Sequence, residues 1–97
     1  MFVVIYVYKV RQNKVDRYLD IQRRVKKVYS RHGCTGYEVF KGDDDLWLEI
    51  NRFKDREYYE NVEKSVDLDP EIQILWKEFC SIVEKEQIIT RKYEKML

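Results

Sequence analysis

The chain has 97 residues, of which 44% are hydrophobic and 38% charged, and its net charge is +1. This composition excludes a disordered chain, and the length predicts one domain over residues 1–97. The near-neutral charge argues against nucleic acid as a partner, and no segment resembles a membrane span or a signal peptide, so we expect no membrane partner and a location in the cytoplasm.

The first half of the chain predicts a strand, a helix and a hairpin. Residues 1–10 are rich in Val, Ile, Tyr and Phe and predict a strand that is apolar on both faces. Asn13 is expected to cap a helix that ends at Gly33, and Gln22 is one of the residues at helical spacing along its inner stripe. Residues 36–41 and 46–53 then predict two strands joined by the short polar loop 42–45.

The second half predicts two helices and a last strand. Asp55 is expected to cap a helix to about Val66, with Tyr58, Tyr59 and Val62 inward. Asp69 and Pro70 are expected to begin a further helix whose apolar stripe runs from Ile72 to Val83 and includes Trp76. Residues 87–93 predict the last strand.

The order β-α-β-β-α-β, with the second helical segment broken in two, predicts an α+β fold of the ferredoxin-like type. In this fold one antiparallel sheet carries helices on one face only. Because the first strand is apolar on both sides, we expect the other face to be covered by a second copy of the chain, in a sheet-to-sheet homodimer.

Two glutamates interrupt the apolar hairpin. With the loop at residues 42–45, Lys41 is expected opposite Leu46, which places Glu38 opposite Glu49 on the face turned away from the helices. The same face is expected to hold Phe40, Trp47, Asn51 and Phe53. Facing carboxylates destabilise a sheet unless a cation, a shared proton or water compensates, and the candidate cations are Lys9, Arg11, Arg91 and Lys92. The pair is either an acid–base site or part of a salt-bridge network that fixes the dimer register.

Residues suited to metal binding are few. The chain has one histidine, His32, and two cysteines that lie far apart, Cys34 and Cys80. A structural zinc site needs about four soft ligands, and the run Asp43–Asp45 lacks the spacing of a calcium loop. We therefore expect no metal and no cofactor, and reduced, packed cysteines.

Two segments carry a resemblance to a known family. The strand "GYEVF" (residues 36–40), the hairpin and "LEINRFKDREYYENV" (residues 48–62) resemble the dimeric α+β barrel superfamily, and within it the antibiotic-biosynthesis-monooxygenase-like domains. Glu38 matches the glutamate of the family's G-Y-E strand, and Asp55, Glu57 and Tyr59 match the start of the following helix. Phe53 stands where the family has tryptophan, and Val62 fills the position of a family histidine.

The resemblance implies a dimeric α+β barrel, in a superfamily that includes cofactor-independent oxygenases of polyphenols and haem-degrading enzymes. We expect a homodimeric small-molecule-binding or structural module without a complete catalytic set, whose ligand is small and apolar or aromatic. The alternative is a cofactor-independent monooxygenase-like enzyme that acts on a flat aromatic or polyphenolic substrate. The candidate catalytic residues are Glu38 and Glu49, and the candidate ligand-binding residues are Trp47, Asn51, Phe53 and Trp76.

Overall fold

The computed structural model describes residues 1–97 as a four-stranded antiparallel sheet with three α-helices on one face. The strands are β1 (Phe2–Lys9), β2 (Gly36–Lys41), β3 (Leu46–Phe53) and β4 (Ile89–Glu94), and the helices are α1 (Val15–Arg31), α2 (Arg56–Asp67) and α3 (Pro70–Cys80). Short 3₁₀ turns at Gln12–Lys14 and Lys85–Gln87 precede α1 and β4. The strand order β2-β3-β1-β4 confirms the predicted ferredoxin-like α+β fold. None of the helices has both the length and the apolar character needed to cross a bilayer.

Most helix ends follow the predicted capping chemistry. The Asp55 carboxylate accepts a hydrogen bond from the Tyr58 amide at 2.7 Å, and the Asp69 carboxylate accepts one from the Glu71 amide at 3.0 Å. Gly33 follows the end of α1 with a φ of 112°, a conformation that glycine adopts without a Cβ clash. The prediction for Asn13 was wrong, because this residue lies in a 3₁₀ turn and α1 begins without a side-chain cap.

The core lies between the sheet and the helices. Alternate residues of β1 enter it, among them Phe2, Val4 and Tyr8. The apolar side chains at the other β1 positions, Val3, Ile5 and Val7, point to the opposite face, which no helix of the chain covers. On this open face Phe40, Ile89 and Tyr93 are about half exposed. The sheet therefore has one covered face and one apolar open face.

The hairpin register differs from the prediction by one residue. Lys41 lies opposite Trp47 and not opposite Leu46, so residues 42–46 separate the paired positions of the hairpin, although Leu46 already belongs to β3 through its pairing with Lys9 of β1. Asp44 and Asp45 both adopt positive φ, at 53° and 62°, a conformation that Asp tolerates better than most residues, and this adds one residue to the turn. Because side chains alternate along a strand, the shift moves every β3 side chain to the other face.

The shift separates the two glutamates. Glu38 lies opposite Ile50 on the open face, and Glu49 lies opposite Val39 on the helix-covered face. The predicted Glu38–Glu49 pair was therefore wrong. The other β3 residues predicted for the open face are also buried under the helices, namely Trp47, Asn51 and Phe53.

Candidate functional site

Glu38 forms a surface ion pair on the open face. Its Oε1 accepts a hydrogen bond from Arg52 Nε at 2.8 Å, and the two side chains are 43% and 36% exposed. A half-exposed pair of this kind contributes about 0–1 kcal/mol to folding. Arg52 was not among the cations expected from the sequence, and no side chain of the helix-covered face takes part.

Glu49 is buried on the helix-covered face and is satisfied by neutral donors. Its Oε1 accepts hydrogen bonds from the Tyr8 hydroxyl at 2.9 Å and from Gln22 Nε2 at 3.3 Å. Its Oε2 accepts one bond, from Asn51 Nδ2 at 3.1 Å. No Lys or Arg forms an ion pair with Glu49, so none of the predicted cations compensates this carboxylate.

Further hydroxyl groups extend this network away from Glu49. The Tyr8 hydroxyl donates to Glu49 and accepts from Gln22 Nε2 at 3.0 Å, so the Tyr18 hydroxyl at 2.6 Å acts as a donor to it. The Tyr37 hydroxyl donates to the Gln22 carbonyl oxygen. Tyr18 and Tyr37 thus donate to Tyr8 and Gln22, and these two residues donate to Glu49. The network is therefore arranged around a carboxylate acceptor.

The network tunes the protonation of its members. Burial raises the pKa of the Glu49 carboxyl above its ordinary value, and the hydrogen bond from Tyr8 is the leading effect that opposes the rise. Burial and the charge of Glu49 raise the pKa of Tyr8, which keeps its phenol protonated. Glu49 is therefore a desolvated proton acceptor surrounded by groups that retain their own protons.

A cavity of about 760 Å³ opens between the sheet and the helices, and Glu49 lies in its wall. Cavities of about 300–1,000 Å³ hold small ligands. The side chains of α3 form an apolar wall that includes Leu75, Trp76 and Phe79. Trp76 is half exposed and stacks on Phe79, with ring centroids 5.6 Å apart and planes 18° apart. The cavity joins an aromatic wall to a buried acid, which suits a flat ligand that carries a hydrogen-bond donor.

Only two of the predicted site residues, Glu49 and Trp76, line this cavity. Asn51 donates to Glu49 from beside the cavity. Trp47 packs in the core against Tyr18, with ring centroids 4.9 Å apart, and Phe53 packs against Tyr59 at 5.0 Å. The structure thus keeps Trp47 and Phe53 in the core and Glu38 on the other side of the sheet.

Several polar residues that line the cavity were not predicted as site residues from the sequence. They are Tyr6, Tyr8, Gln22, Tyr29, Tyr37 and Glu63. Gln22 carried a usable signal, because it is a polar residue in the apolar stripe of α1 and is almost fully buried. A polar side chain at a core position needs a buried partner, and this requirement points to Glu49.

The cavity offers no histidine to a cofactor. His32, the one histidine of the chain, lies outside the cavity, and its Nε2 is 2.8 Å from Asp69 Oδ2. This contact joins the end of α1 to the start of α3. A haem held by histidine, as the superfamily's haem-degrading members suggest, therefore does not fit this cavity. No cluster of three or more His, Cys, Asp or Glu side chains has the geometry of a metal site.

Comparison with known proteins assigns the family. A family model described as antibiotic biosynthesis monooxygenase matches residues 1–69. The chain belongs to the antibiotic biosynthesis monooxygenase family. The matched residues carry Tyr8, Gln22 and Glu49, whereas the α3 wall with Trp76 lies outside the match. In this family member, Glu49 and the side chains that donate to it therefore come from the matched region, and the wall formed by α3 comes from the rest of the chain.

Several solved structures share the fold of this chain. A NIPSNAP domain protein from Burkholderia xenovorans superposes with a TM-score of 0.78 at 14% identity, covering 98% of this chain and 94% of that one. A protein from Nitrosomonas europaea, provisionally named an antibiotic biosynthesis monooxygenase, also gives 0.78, at 12% identity and full coverage of both chains. A protein of unknown function from Bacteroides thetaiotaomicron gives 0.72 at 12% identity, with 97% of each chain covered. At these identities the likeness shows the fold alone. No curated protein matches this family member significantly.

Proposed function

We propose that this family member binds a flat, hydroxylated aromatic molecule in the cavity, with a ligand hydroxyl donating a hydrogen bond to Glu49. The observation that carries the proposal is the buried Glu49 carboxyl in the wall of a 760 Å³ cavity. Its Oε2 accepts a single bond within the protein, and a carboxylate oxygen has room for two. A ligand hydroxyl is the natural second donor.

The aromatic wall supports the same ligand class. Trp76 and Phe79 present a stacked pair of rings to the cavity, and rings of this kind favour offset or edge contacts with another flat aromatic group. Trp76 is half exposed, and contact with a ligand would remove part of this apolar surface from water.

Titration calorimetry with 1-naphthol tests the proposal. We expect binding to the wild type, and Glu49→Gln is expected to weaken it about tenfold, because a hydrogen bond to an ionised acceptor is roughly twice as strong as a neutral one. Glu38→Gln is the matched control, since it removes the other hairpin carboxylate without touching the cavity. Equal affinities in the two variants would contradict the proposed role of Glu49.

A second candidate function is proton abstraction by Glu49, as in a cofactor-independent monooxygenase-like enzyme. The raised pKa of its carboxyl and the family membership favour this reading. The phenolic O–H bond would break, the proton would pass to Glu49, and the electron pair would stay on the ligand as an electron-rich phenolate able to react with dioxygen. Catalysis would be supported if the wild type consumes oxygen in the presence of 1,5-dihydroxynaphthalene and Glu49→Gln does not. Binding without oxygen consumption would leave a ligand-binding module.

We also propose the sheet-to-sheet homodimer. The open face presents Val3, Ile5 and Val7 from a central strand together with Leu48 and Ile50. Burial of such apolar surface against a second copy favours association. Light scattering at micromolar concentration is expected to give twice the chain mass of 12.0 kDa, and Ile5→Glu is expected to give the monomer mass. A wild type that stays monomeric would contradict the dimer.

The cytoplasmic location of the protein stays a prediction.

A further inference from the structure

A second carboxyl, Glu63 on α2, lines the same cavity as Glu49. Its Oε1 is buried without a donor in hydrogen-bonding geometry, and the Tyr29 hydroxyl, which lies close to the carboxyl, lowers the pKa of Glu63. Buried polar atoms in proteins nearly always have a partner, and an acceptor without a donor destabilises the fold. An acceptor of this kind in a cavity wall is suited to a ligand that brings the donor.

The electric fields of the two carboxyls overlap in the cavity. Burial, then the charge of Glu63, and then that of Glu49 raise the pKa of Tyr6. Burial and then the charges of Glu63, Tyr6 and Glu49, in that order, raise the pKa of Tyr29. Both tyrosines line the cavity. Their hydroxyls therefore lie in the field of both carboxyls, and a ligand in this space would be influenced by both acids.

The remaining charges of the cavity are also mostly acidic. Asp67 and Glu86 add two carboxylates to the lining, and Lys85 is its one cation. Burial and the nearby charge of Asp67 raise the pKa of the Glu63 carboxyl. A ligand anion would meet repulsion here, whereas a donor group would meet acceptors.

We propose that Glu63 accepts a second hydrogen bond from the ligand, so that the cavity selects flat aromatic molecules with two hydrogen-bond donors and rejects those with an anionic group. The proposal rests on the proposed function and makes it narrower. Glu49 holds the first donor from the sheet side, and Glu63 holds the second from α2. Glu63 is therefore the residue that determines specificity for the number of donors.

Titration calorimetry with three probes that share the naphthalene ring system tests this role of Glu63. They are 1,5-dihydroxynaphthalene with two donors, 1-naphthol with one donor, and 1-naphthoate with an anion. We expect the wild type to bind the diol about tenfold more tightly than 1-naphthol, and 1-naphthoate the most weakly. Glu63→Met is expected to bring the diol to the affinity of 1-naphthol and to leave 1-naphthol unchanged. Glu60→Met, at an exposed position of the same helix, is the matched control and is expected to behave as the wild type.

A second variant guards against effects on folding. Glu63→Gln keeps an acceptor oxygen and removes the charge, so we expect the diol preference to persist and 1-naphthoate to bind more tightly than it does to the wild type. A diol preference that survives in a folded Glu63→Met protein overturns the role of Glu63. If the diol then still depends on Glu49, the proposed function stands without this inference. A wild type that binds none of the three probes overturns both.

Discussion

Removal of one hydroxyl group, by Tyr8→Phe, tests whether the network around Glu49 contributes to stability. This hydroxyl donates to Glu49 at 2.9 Å and lies 2.6 Å from the Tyr18 hydroxyl and 3.0 Å from Gln22 Nε2. A hydrogen bond to a charged group contributes about 1.5–3 kcal/mol, and the variant also leaves the Tyr18 hydroxyl without its acceptor. We therefore expect a loss of about 2–3 kcal/mol in the free energy of unfolding, which corresponds to a fall in Tm of roughly 10–20 °C for a domain of this size.

The pH dependence of this loss identifies its cause. The bond from Tyr8 holds down the pKa of Glu49, so its removal makes the charged carboxylate less favourable in the folded state. The loss is therefore expected to be larger at about pH 8 than at about pH 4, where Glu49 is mostly protonated. Urea unfolding at both pH values measures it. Tyr58→Phe is the control, because this hydroxyl is more exposed and makes no hydrogen bond. An equal loss at the two pH values, or an equal loss in the control, would contradict a stabilising hydrogen bond from Tyr8 to the charged Glu49 carboxylate.

Three further predictions concern stability. Burial raises the folded-state pKa of Glu49 above 4.5. Its contribution to stability is therefore full below about pH 4.5 and is lost as pH rises through the folded-state pKa. In urea unfolding from about pH 4 to 9, Glu49→Gln should not show this loss of stability. Hydrogen bonds and ion pairs lower the pKa of Asp69 to about 2 from its usual 3.8, so its contribution is present above 3.8 and is lost as pH falls toward 2; Asp69→Asn should lack this acid-dependent loss in the same assay. Gly33→Ala should lower the free energy of unfolding by about 1–2 kcal/mol in urea unfolding, because it places a Cβ 2.7 Å from the Tyr58 hydroxyl at a positive φ. Gly42→Ala is the control and should have little effect in the same assay.

The fold was predictable because its signals are local. Asp55, the pair Asp69–Pro70, and Gly33 each mark a helix end through their own side chain or backbone, without help from distant residues. The strand bounds 36–41 and 46–53 likewise follow from β-rich runs on either side of a polar turn. Signals of this kind can be read one segment at a time.

The candidate site was only partly predictable because it depends on register and on contacts between distant segments. Two successive aspartates in the left-handed region, Asp44 and Asp45, added one residue to the turn, and the sequence has no glycine at those positions to indicate it. That single residue moved Glu49 from the open face to the core. Its partners, Tyr8 and Gln22, come from β1 and α1, and Gln22 in an apolar stripe was the one local sign of them.

The separation of Glu38 from Glu49 also changes what the hairpin acids do. Glu38, which matches the family's G-Y-E strand, pairs with Arg52 on the open face, where the second subunit is proposed to bind. Glu49 faces the ligand cavity. One hairpin thus supplies a carboxylate to each proposed surface, and this makes Glu38→Gln a useful control for the ligand-binding measurements on Glu49.

A crystal structure of the complex with 1,5-dihydroxynaphthalene would show directly whether Glu49 accepts a hydrogen bond from a ligand hydroxyl. We expect the ring system in the cavity beside Trp76, with one hydroxyl oxygen about 2.5–2.7 Å from a Glu49 carboxylate oxygen. A ring bound outside the cavity, or bound inside it with both hydroxyls directed away from Glu49, would contradict the proposed role of Glu49 in ligand binding.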